Sequence, residues 1–192
     1  VAESGANPSQ TAIIVAPSDH LILDESEFSR ILSLSTTTAT TTSSLVTIGI
    51  TPTRPDTGYG YIKYSHHSNN GELASVDQFT EKPDLATAEK FLETGGYCWN
   101  SGIFIWSLSN INTAFDSYLP LMSESFKSVK LVGAAGEVDE IYKCCESISI
   151  DYGILEKCMD VAVIPADFGW SDLGTWTSLA QHLPSDEACN ST

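Results

Sequence analysis

Residues 161–176 read VAVIPADFGWSDLGTW. The first six form a short apolar run, the reading of a buried strand. The last eight form a turn that holds one carboxylate, Asp172, between two glycines and two tryptophans. Glycine lets a ligand or metal come close to the backbone, so a charged residue held there at a strand end marks a candidate site. The same residues also fit an ordinary strand-to-helix turn in which Asp172 or Thr175 caps a helix beginning near Trp176. Two other runs share the apolar pattern. Residues 11–16, TAIIVA, have the length and the Ile13-Ile14-Val15 centre of a strand buried on both faces, as in a parallel sheet; residues 45–50, LVTIGI, read as a further buried strand.

At 192 residues with 42% hydrophobic content, the chain can bury a sizeable core, and one domain over residues 1–192 is expected. Nine basic against 25 acidic residues give a formal charge of −16, which argues against nucleic acid and anionic membrane as partners, since both would be repelled over most of the surface. An anionic small substrate would need local help from a metal ion or a few placed lysines and arginines. Cys98, Cys144, Cys145, Cys158 and Cys189 form neither a CxxC pair nor a Cys/His cluster, and read as reduced thiols of a cytosolic protein. No run approaches the roughly 18 to 20 apolar residues of a membrane helix. Residues 1–10 lack the basic region and apolar core of a signal peptide. The expectation is a soluble, cytoplasmic protein.

The first strand stops at Pro17-Ser18-Asp19-His20, an acid and a histidine at the place where open α/β sheets bind ligands; Asp19 equally fits a turn cap. Asp24-Glu25-Ser26-Glu27 is a D-x-x-E capping pattern that opens a helix. That helix is expected to weaken by Ser33, because residues 35–44, STTTATTTSS, carry hydroxyls that compete with helix hydrogen bonds and read as an irregular connector. Two prolines and two glycines make residues 51–60 a loop, where the backbone of Gly58 and Gly60 could lie against a sugar or phosphate or form a plain turn. Residues 59–64 start a strand, 68–71 form a hairpin turn, and 73–80 return. Glu81-Lys82-Pro83-Asp84 then joins an acceptor for sugar hydroxyls to a point charge for a phosphate, just before a helix over 85–94; exposed Glu-Lys neighbours are also common on surfaces. Asn100, with both donor and acceptor, stands at the mouth of an apolar strand over 103–106. Beyond it, two short helices broken near Pro120, a helix over 138–145, and a helix over 148–158 entered near Ser149 or Asp151, where Asp151 fits a plain cap, read as scaffold.

Asp19, Gly58, Gly60, Glu81, Lys82, Asn100 and Asp172 all fall at strand ends or in loops beside strands. Two separated aspartates without histidine or cysteine ligands suit a hard cation such as Mg2+, completed by substrate phosphates and water, which implies phosphate chemistry.

The ordered blocks APSDHLI (16–22), GITPTRPDTGYGYI (49–62), FTEKPD (79–84), WNSGIFIW (99–106), SIDYGILEK (149–157) and GWSDLGTW (169–176) resemble mannose-1-phosphate guanylyltransferases, the GDP-mannose pyrophosphorylases. The WNSG and WSDLG blocks resemble the mannose enzymes more than the glucose-1-phosphate ones. The resemblance implies an α/β nucleotidyltransferase fold, a Rossmann-like mixed and mainly parallel sheet flanked by helices, incomplete at its N-terminus. It implies GTP binding, with attack by a phosphate oxygen of mannose 1-phosphate on the α-phosphorus of GTP, yielding GDP-mannose and pyrophosphate without a covalent enzyme intermediate. Carried over by position, Asp19 and Asp172 would hold Mg2+, Glu81 and Asn100 would contact sugar hydroxyls, Lys82 the sugar phosphate, and Gly58 with Gly60 would lie along the sugar. His20, Arg54 and Asp151 are lesser candidates. A homo-oligomer is compatible with the resemblance. A non-catalytic sugar-phosphate-binding module, or a transferase for another sugar phosphate, would carry many of the same residues.

The family's glycine-rich phosphate loop, of the form GGxGTRLxPxS, has no counterpart here, since GAAG at 133–136 lacks its basic residue. The family's smaller C-terminal domain has none either. The sequence therefore reads as a partial domain holding the sugar-phosphate side of a site, whose sheet would expose edges and apolar faces. The isolated chain is expected to be poorly stable and to turn over little or nothing. A thermal melt followed by circular dichroism should be broad and well below that of a full-length relative; a cooperative melt near the relative's would contradict this.

Overall fold

The apolar runs at 45–50 and 161–166 lie side by side. In a computed structural model, strand β3 (Leu45–Ile50) pairs in parallel with β7 (Val161–Ala166), Leu45 opposite Val161 through Ile50 opposite Ala166, and every residue of both is buried. The structure describes residues 5–65, 71–127, 135–180 and 182–183. Pro165 is tolerated in β7 because its carbonyl turns away from β3 to accept from the Gly71 amide at 2.6 Å. Its missing N–H lies on that same side, so the β3 ladder loses no bond.

Around this pair stand β1 (Ala12–Val15), β4 (Tyr61–Tyr64), β5 (Ala74–Thr80) and β6 (Tyr97–Ser107), in the order β1-β6-β3-β7-β5-β4. The sheet is mixed, as read, but not mainly parallel: among the described residues, β3 with β7 is its single parallel pairing. The cause is β6, which runs antiparallel between β1 and β3, so that β1 and β3 share a direction without touching. The strand at 11–16 is not buried on both faces either. It stands at the sheet edge with Ile14 48% and Val15 45% exposed.

At eleven residues, β6 is the longest strand and serves both ends of the sheet. Its second half pairs with β1 and β3, and its first half with β3 and β4. Pairing with β4 closes β6-β3-β7-β5-β4 into a ring. The ladder between β3 and β6 skips from Thr47 opposite Phe104 to Gly49 opposite Asn100, so β6 carries extra residues there and bends, as a bulged strand does. The Ser101 hydroxyl bridges the irregularity, donating to the Ile48 carbonyl at 2.6 Å and accepting from the Ile103 amide at 3.1 Å.

Inside the ring lie Ile62, Ala74, Cys98 and Val163. Burial pushes the Cys98 thiol well above its ordinary range, so it is an inert core group. On one outer face, Val46, Ile48, Ile103, Ile105 and Ile164 pack with Ile31 and Ala39 of α1 (Glu25–Thr41) and Ala88 of α2 (Leu85–Thr94). On the other, Leu45, Phe104, Trp106 and Val161 meet Ile111 and Ala114 of α3 (Leu108–Tyr118) and a π-helical turn, Asp151–Leu155. Each such buried aliphatic side chain contributes about 1.5–3 kcal/mol.

The helix α1 runs through most of the Ser/Thr tract instead of weakening by Ser33, and the expected connector over 35–44 shrinks to its last residues. Asp24 caps it as read, accepting from the Glu27 amide at 2.9 Å. The hydroxyls bond back along the helix, Ser35 to the Ile31 carbonyl at 2.8 Å and Thr41 to that of Thr37 at 2.7 Å, so they do not unwind it. Ile31, Ser35, Thr38 and Ala39 form one buried stripe, and burial of that stripe outweighs low propensity.

The helix over 85–94 and the break at Pro120 between α3 and α4 (Pro120–Lys127) match the expectation; the structure adds Asp84 as the cap of the former, and α5 (Ala135–Cys144) starts slightly earlier. The hairpin turn expected at 68–71 falls largely outside the described residues. So does Cys189; the other four cysteines are free. Among the described residues no helix is long and apolar enough to cross a membrane.

Gly49 faces the ring interior, where a Cβ would overlap Cys98 Sγ and come within 2.9 Å of Cys98 Cβ and Val163 Cγ2. Gly49→Ala should therefore destabilise the chain by about 1–3 kcal/mol through overpacking. Urea denaturation would measure it, with Cys98→Ala recovering part of the loss in the double variant.

Candidate functional site

Tyr61 pairs on one side with Thr80 of β5 and on the other with Trp99 of β6. The residues next in sequence, Gly60, Glu81 and Asn100, are thereby brought together by backbone register alone. The Asn100 amide donates to the Gly60 carbonyl at 2.8 Å. Gly60 is a close approach: a Cβ there would stand 2.5 Å from Glu81 Oε2 and 3.5 Å from Asn100 Cβ. A second construction brings Asp172. The ribbon of β2 (Leu21–Ile22) and β8 (Trp170–Ser171) sets Leu21 opposite Ser171, so His20 and Asp172 leave it at the same end.

These elements enclose a cavity of about 240 Å3 lined by Pro17, His20, Gly58, Tyr59, Gly60, Glu81, Asn100, Asp151, Trp170 and Asp172, among others. A larger space of about 760 Å3 lies between α3, α4 and α5, but the charged groups there, Asp116 and Lys127, pair with each other at 2.6 Å. Converging polar groups distinguish the smaller one.

Asn100 is fixed as a reader of ligands. Its Oδ1 accepts from the Gly102 amide at 3.1 Å and its Nδ2 donates to Asp151 Oδ1 at 2.9 Å, leaving one N–H and one lone pair for a guest. Asp151 is thus no helix cap: it opens the π-helical turn and turns its carboxylate onto Asn100, and Ile150 precedes it without a side-chain cap. Such single π turns recur at functional sites because they shift one side chain out of helical phase. Nearby, Glu156 has its pKa raised, first by burial and then by the charges of Asp151 and Glu81.

Asp172 does not cap α6 (Trp176–Ala180); Thr175 does, its Oγ1 accepting from the Ser178 amide at 3.1 Å. Asp172 Oδ1 instead accepts from the Tyr59 hydroxyl at 2.7 Å and the Gly174 amide at 3.0 Å. The Tyr59 ring packs edge-on against Trp99 at 5.0 Å and Trp170 at 5.3 Å. Arg54, paired with Asp56 at 2.7 Å, lies over both the Tyr59 and Trp99 rings. Trp170 donates from Nε1 to His20 Nδ1 at 3.0 Å, which leaves Nε2 to carry the proton of a neutral His20.

Asp19 and Lys82 do not line the cavity. Asp19 is exposed beside His20. Lys82 is exposed and loosely paired with Glu81 at 3.6 Å. Lys82 (φ 43) and Leu173 (φ 50) are the non-glycine residues with left-handed backbone among those described, and each directly follows a candidate carboxylate, Glu81 or Asp172. Strain of this kind gathers at functional sites. Tyr59, Trp99 and Trp170 escaped the sequence reading as site residues; the local signals were an aromatic between Gly58 and Gly60 and tryptophans beside Asn100 and Asp172. Among the described residues no three metal-binding side chains converge.

The Nucleotidyl transferase family profile matches residues 1–188. Xanthan biosynthesis protein XanB of Xanthomonas campestris pv. campestris (strain B100) is 38% identical over 92% of this chain and 38% of its own length. Mannose-1-phosphate guanylyltransferase of Salmonella montevideo is 35% identical over 94% of this chain and 40% of its own. The chain thus spans well under half the length of these relatives. A crystal structure described as mannose-1-phosphate geranyltransferase from Thermus thermophilus superposes with a TM-score of 0.81 at 33% identity, covering 94% of this chain and 50% of that one. The mixed sheet flanked by helices is a nucleotidyltransferase fold.

Tyr59, Tyr61 and Tyr64 are all held above the ordinary tyrosine range, chiefly by burial, and Tyr59 further by the Asp172 carboxylate. The unfolded chain releases these protons from about pH 10 upward while the folded chain retains them. Stability from this source is complete below that pH and is lost as pH rises through it. The urea midpoint should fall above about pH 10, and less steeply in Tyr59→Phe.

Proposed function

The chain belongs to the nucleotidyl transferase family, and from that membership we propose that it forms the sugar-phosphate side of a mannose-1-phosphate guanylyltransferase. The observation that carries the reading is the convergence of Gly58, Gly60, Glu81, Asn100 and Asp172 on one cavity. Relatives at 35–37% identity named mannose-1-phosphate guanylyltransferase support mannose 1-phosphate as the acceptor and a guanylyl donor, for which GTP is the proposed nucleotide.

In the proposed reaction a phosphate oxygen of mannose 1-phosphate attacks the α-phosphorus of GTP. The new P–O bond forms as the bond to the β,γ-phosphates breaks, giving GDP-mannose and pyrophosphate. Glu81 and Asn100 would bind sugar hydroxyls, Asn100 through the N–H and lone pair that Asp151 and Gly102 leave free. The backbone of Gly58 and Gly60 would lie along the sugar, and Lys82, exposed and only loosely paired with Glu81, would reach its phosphate. Alignment of two phosphates is the main task, since each repels the other and the surrounding carboxylates.

That repulsion is the argument for Mg2+. The donor set fits it: Asp19 and Asp172 are hard oxygen ligands at one end of the β2–β8 ribbon, and Mg2+ keeps waters and substrate phosphates for its other positions. Bound there, the ion would neutralise charge accumulating on the phosphates. Asp19 and Asp172 would hold it, and Tyr59 and Gly174 keep Asp172 in place.

Calorimetry of the chain with mannose 1-phosphate and Mg2+ tests the reading. Binding should weaken roughly tenfold or more in Glu81→Gln and in Asn100→Ala, the loss expected for a hydrogen bond involving a charged or buried partner. Any pyrophosphate release from GTP should vanish in Asp19→Asn and Asp172→Asn. Binding that ignores both cavity substitutions, or equal affinity for glucose 1-phosphate, would sink it.

A further inference from the structure

Tyr59 belongs to the loop expected along the sugar, yet its side chain ends on Asp172, 113 residues away in sequence. Three neighbours hold the ring: Trp99 and Trp170 meet it edge-on, and the Arg54 guanidinium lies 5.8 Å from its centroid. Arg54 is itself anchored by Asp56, whose Oδ1 also accepts from the Gly58 amide at 2.8 Å. The hydroxyl is thus a fixed donor.

Asp172 Oδ1 has two donors, the Tyr59 hydroxyl and the Gly174 amide, while Oδ2 accepts no hydrogen bond among the described residues. A carboxylate with one oxygen held by two donors cannot exchange its oxygens or swing away freely. Its other oxygen is left as the ligand atom. We propose that Tyr59 is a positioning residue for the metal site, locking Asp172 so that Oδ2 is presented to the cation and coupling that carboxylate to the Gly58–Gly60 segment beside the sugar. The inference rests on the proposed role of Asp172 in holding Mg2+.

Two effects of the hydroxyl oppose each other. By drawing charge from the carboxylate it makes Asp172 a weaker ligand; by fixing the carboxylate it removes the cost of ordering it when the ion arrives. Outer partners of metal ligands change affinity by roughly 10- to 100-fold when removed, with loss the usual direction, so the positioning effect is expected to win.

The test is a titration of the chain with Mn2+, an EPR-visible stand-in for Mg2+, in the presence of mannose 1-phosphate. Tyr59→Phe keeps the ring and its packing, and should weaken Mn2+ binding roughly tenfold or more. Because Tyr59 acts through Asp172, the same substitution in an Asp172→Asn background should produce no further loss, whereas a merely structural role would add one. Unchanged or tighter Mn2+ binding in Tyr59→Phe, with binding still weakened by Asp172→Asn, overturns this inference and leaves the proposed function standing. Mn2+ binding that is absent from the parent chain, or indifferent to Asp172→Asn, overturns both. Should Tyr59→Phe fail to fold, 3-fluorotyrosine at position 59 preserves shape and donor, and its 19F resonance should shift on Mg2+ addition in the parent but not in Asp172→Asn. A resonance that ignores Mg2+ in both overturns the inference.

Discussion

The bend in β6 is the constraint on which the rest depends. This one strand serves β1 and β3 with its second half and β4 with its first, so it must turn within a few residues near Ser101. The extra residues of the irregular ladder make the turn, and the Ser101 hydroxyl satisfies the carbonyl and amide that the turn would otherwise strand in the core. Closing the ring then forces Cys98 against Gly49, where any side chain on Gly49 would occupy the sulfur's space. The same bend puts Asn100 at the mouth of the cavity. Architecture and site share one feature of the backbone.

Two independent constructions deliver the cavity walls. Register around Tyr61 gathers Gly60, Glu81 and Asn100; the β2–β8 ribbon carries His20 and Asp172. Aromatic packing joins the two halves, with Tyr59 and Trp99 on one side and Trp170 on the other. Hydrogen bonds then finish what packing begins: Tyr59 to Asp172, Trp170 to His20, and Asn100 to Asp151. Each leaves a chosen atom free, which is how a small polar cavity becomes selective.

Charge sets the remaining requirement. The chain carries a formal −16, and Glu81, Asp151 and Asp172 line the cavity itself. A phosphate entering such a place meets repulsion before it meets a donor, and Lys82 at the rim offers one positive charge against several negative ones. On the proposed reading such a wall would face a cation, which carboxylates coordinate, and sugar hydroxyls, from which they accept hydrogen bonds.

Much was legible locally. Asp24 caps its helix because a short carboxylate three residues before a glutamate supplies the acceptor a helix start needs, and the apolar runs at 45–50 and 161–166 are buried strands. Gly58, Gly60, Glu81, Asn100 and Asp172 were legible as neighbours of one cavity because they sit at strand ends. Other features were decided elsewhere. The Ser/Thr tract became helix because Ile31, Ser35, Thr38 and Ala39 are covered by the sheet, which no local propensity reveals. Asp151 left the capping role because Asn100, 51 residues earlier, offered it a donor. Strand direction was also hidden, since an apolar run buries equally well against a parallel or an antiparallel neighbour; β6 settled that by inserting itself between β1 and β3. The sequence by itself determined the buried strands at 45–50 and 161–166 and the Asp24 cap, because those follow from side-chain chemistry within a few positions. Only the tertiary structure decided that Tyr59 meets Asp172 and that Asn100 meets Asp151, because a hydrogen bond across 113 or 51 residues exists only after the sheet has closed.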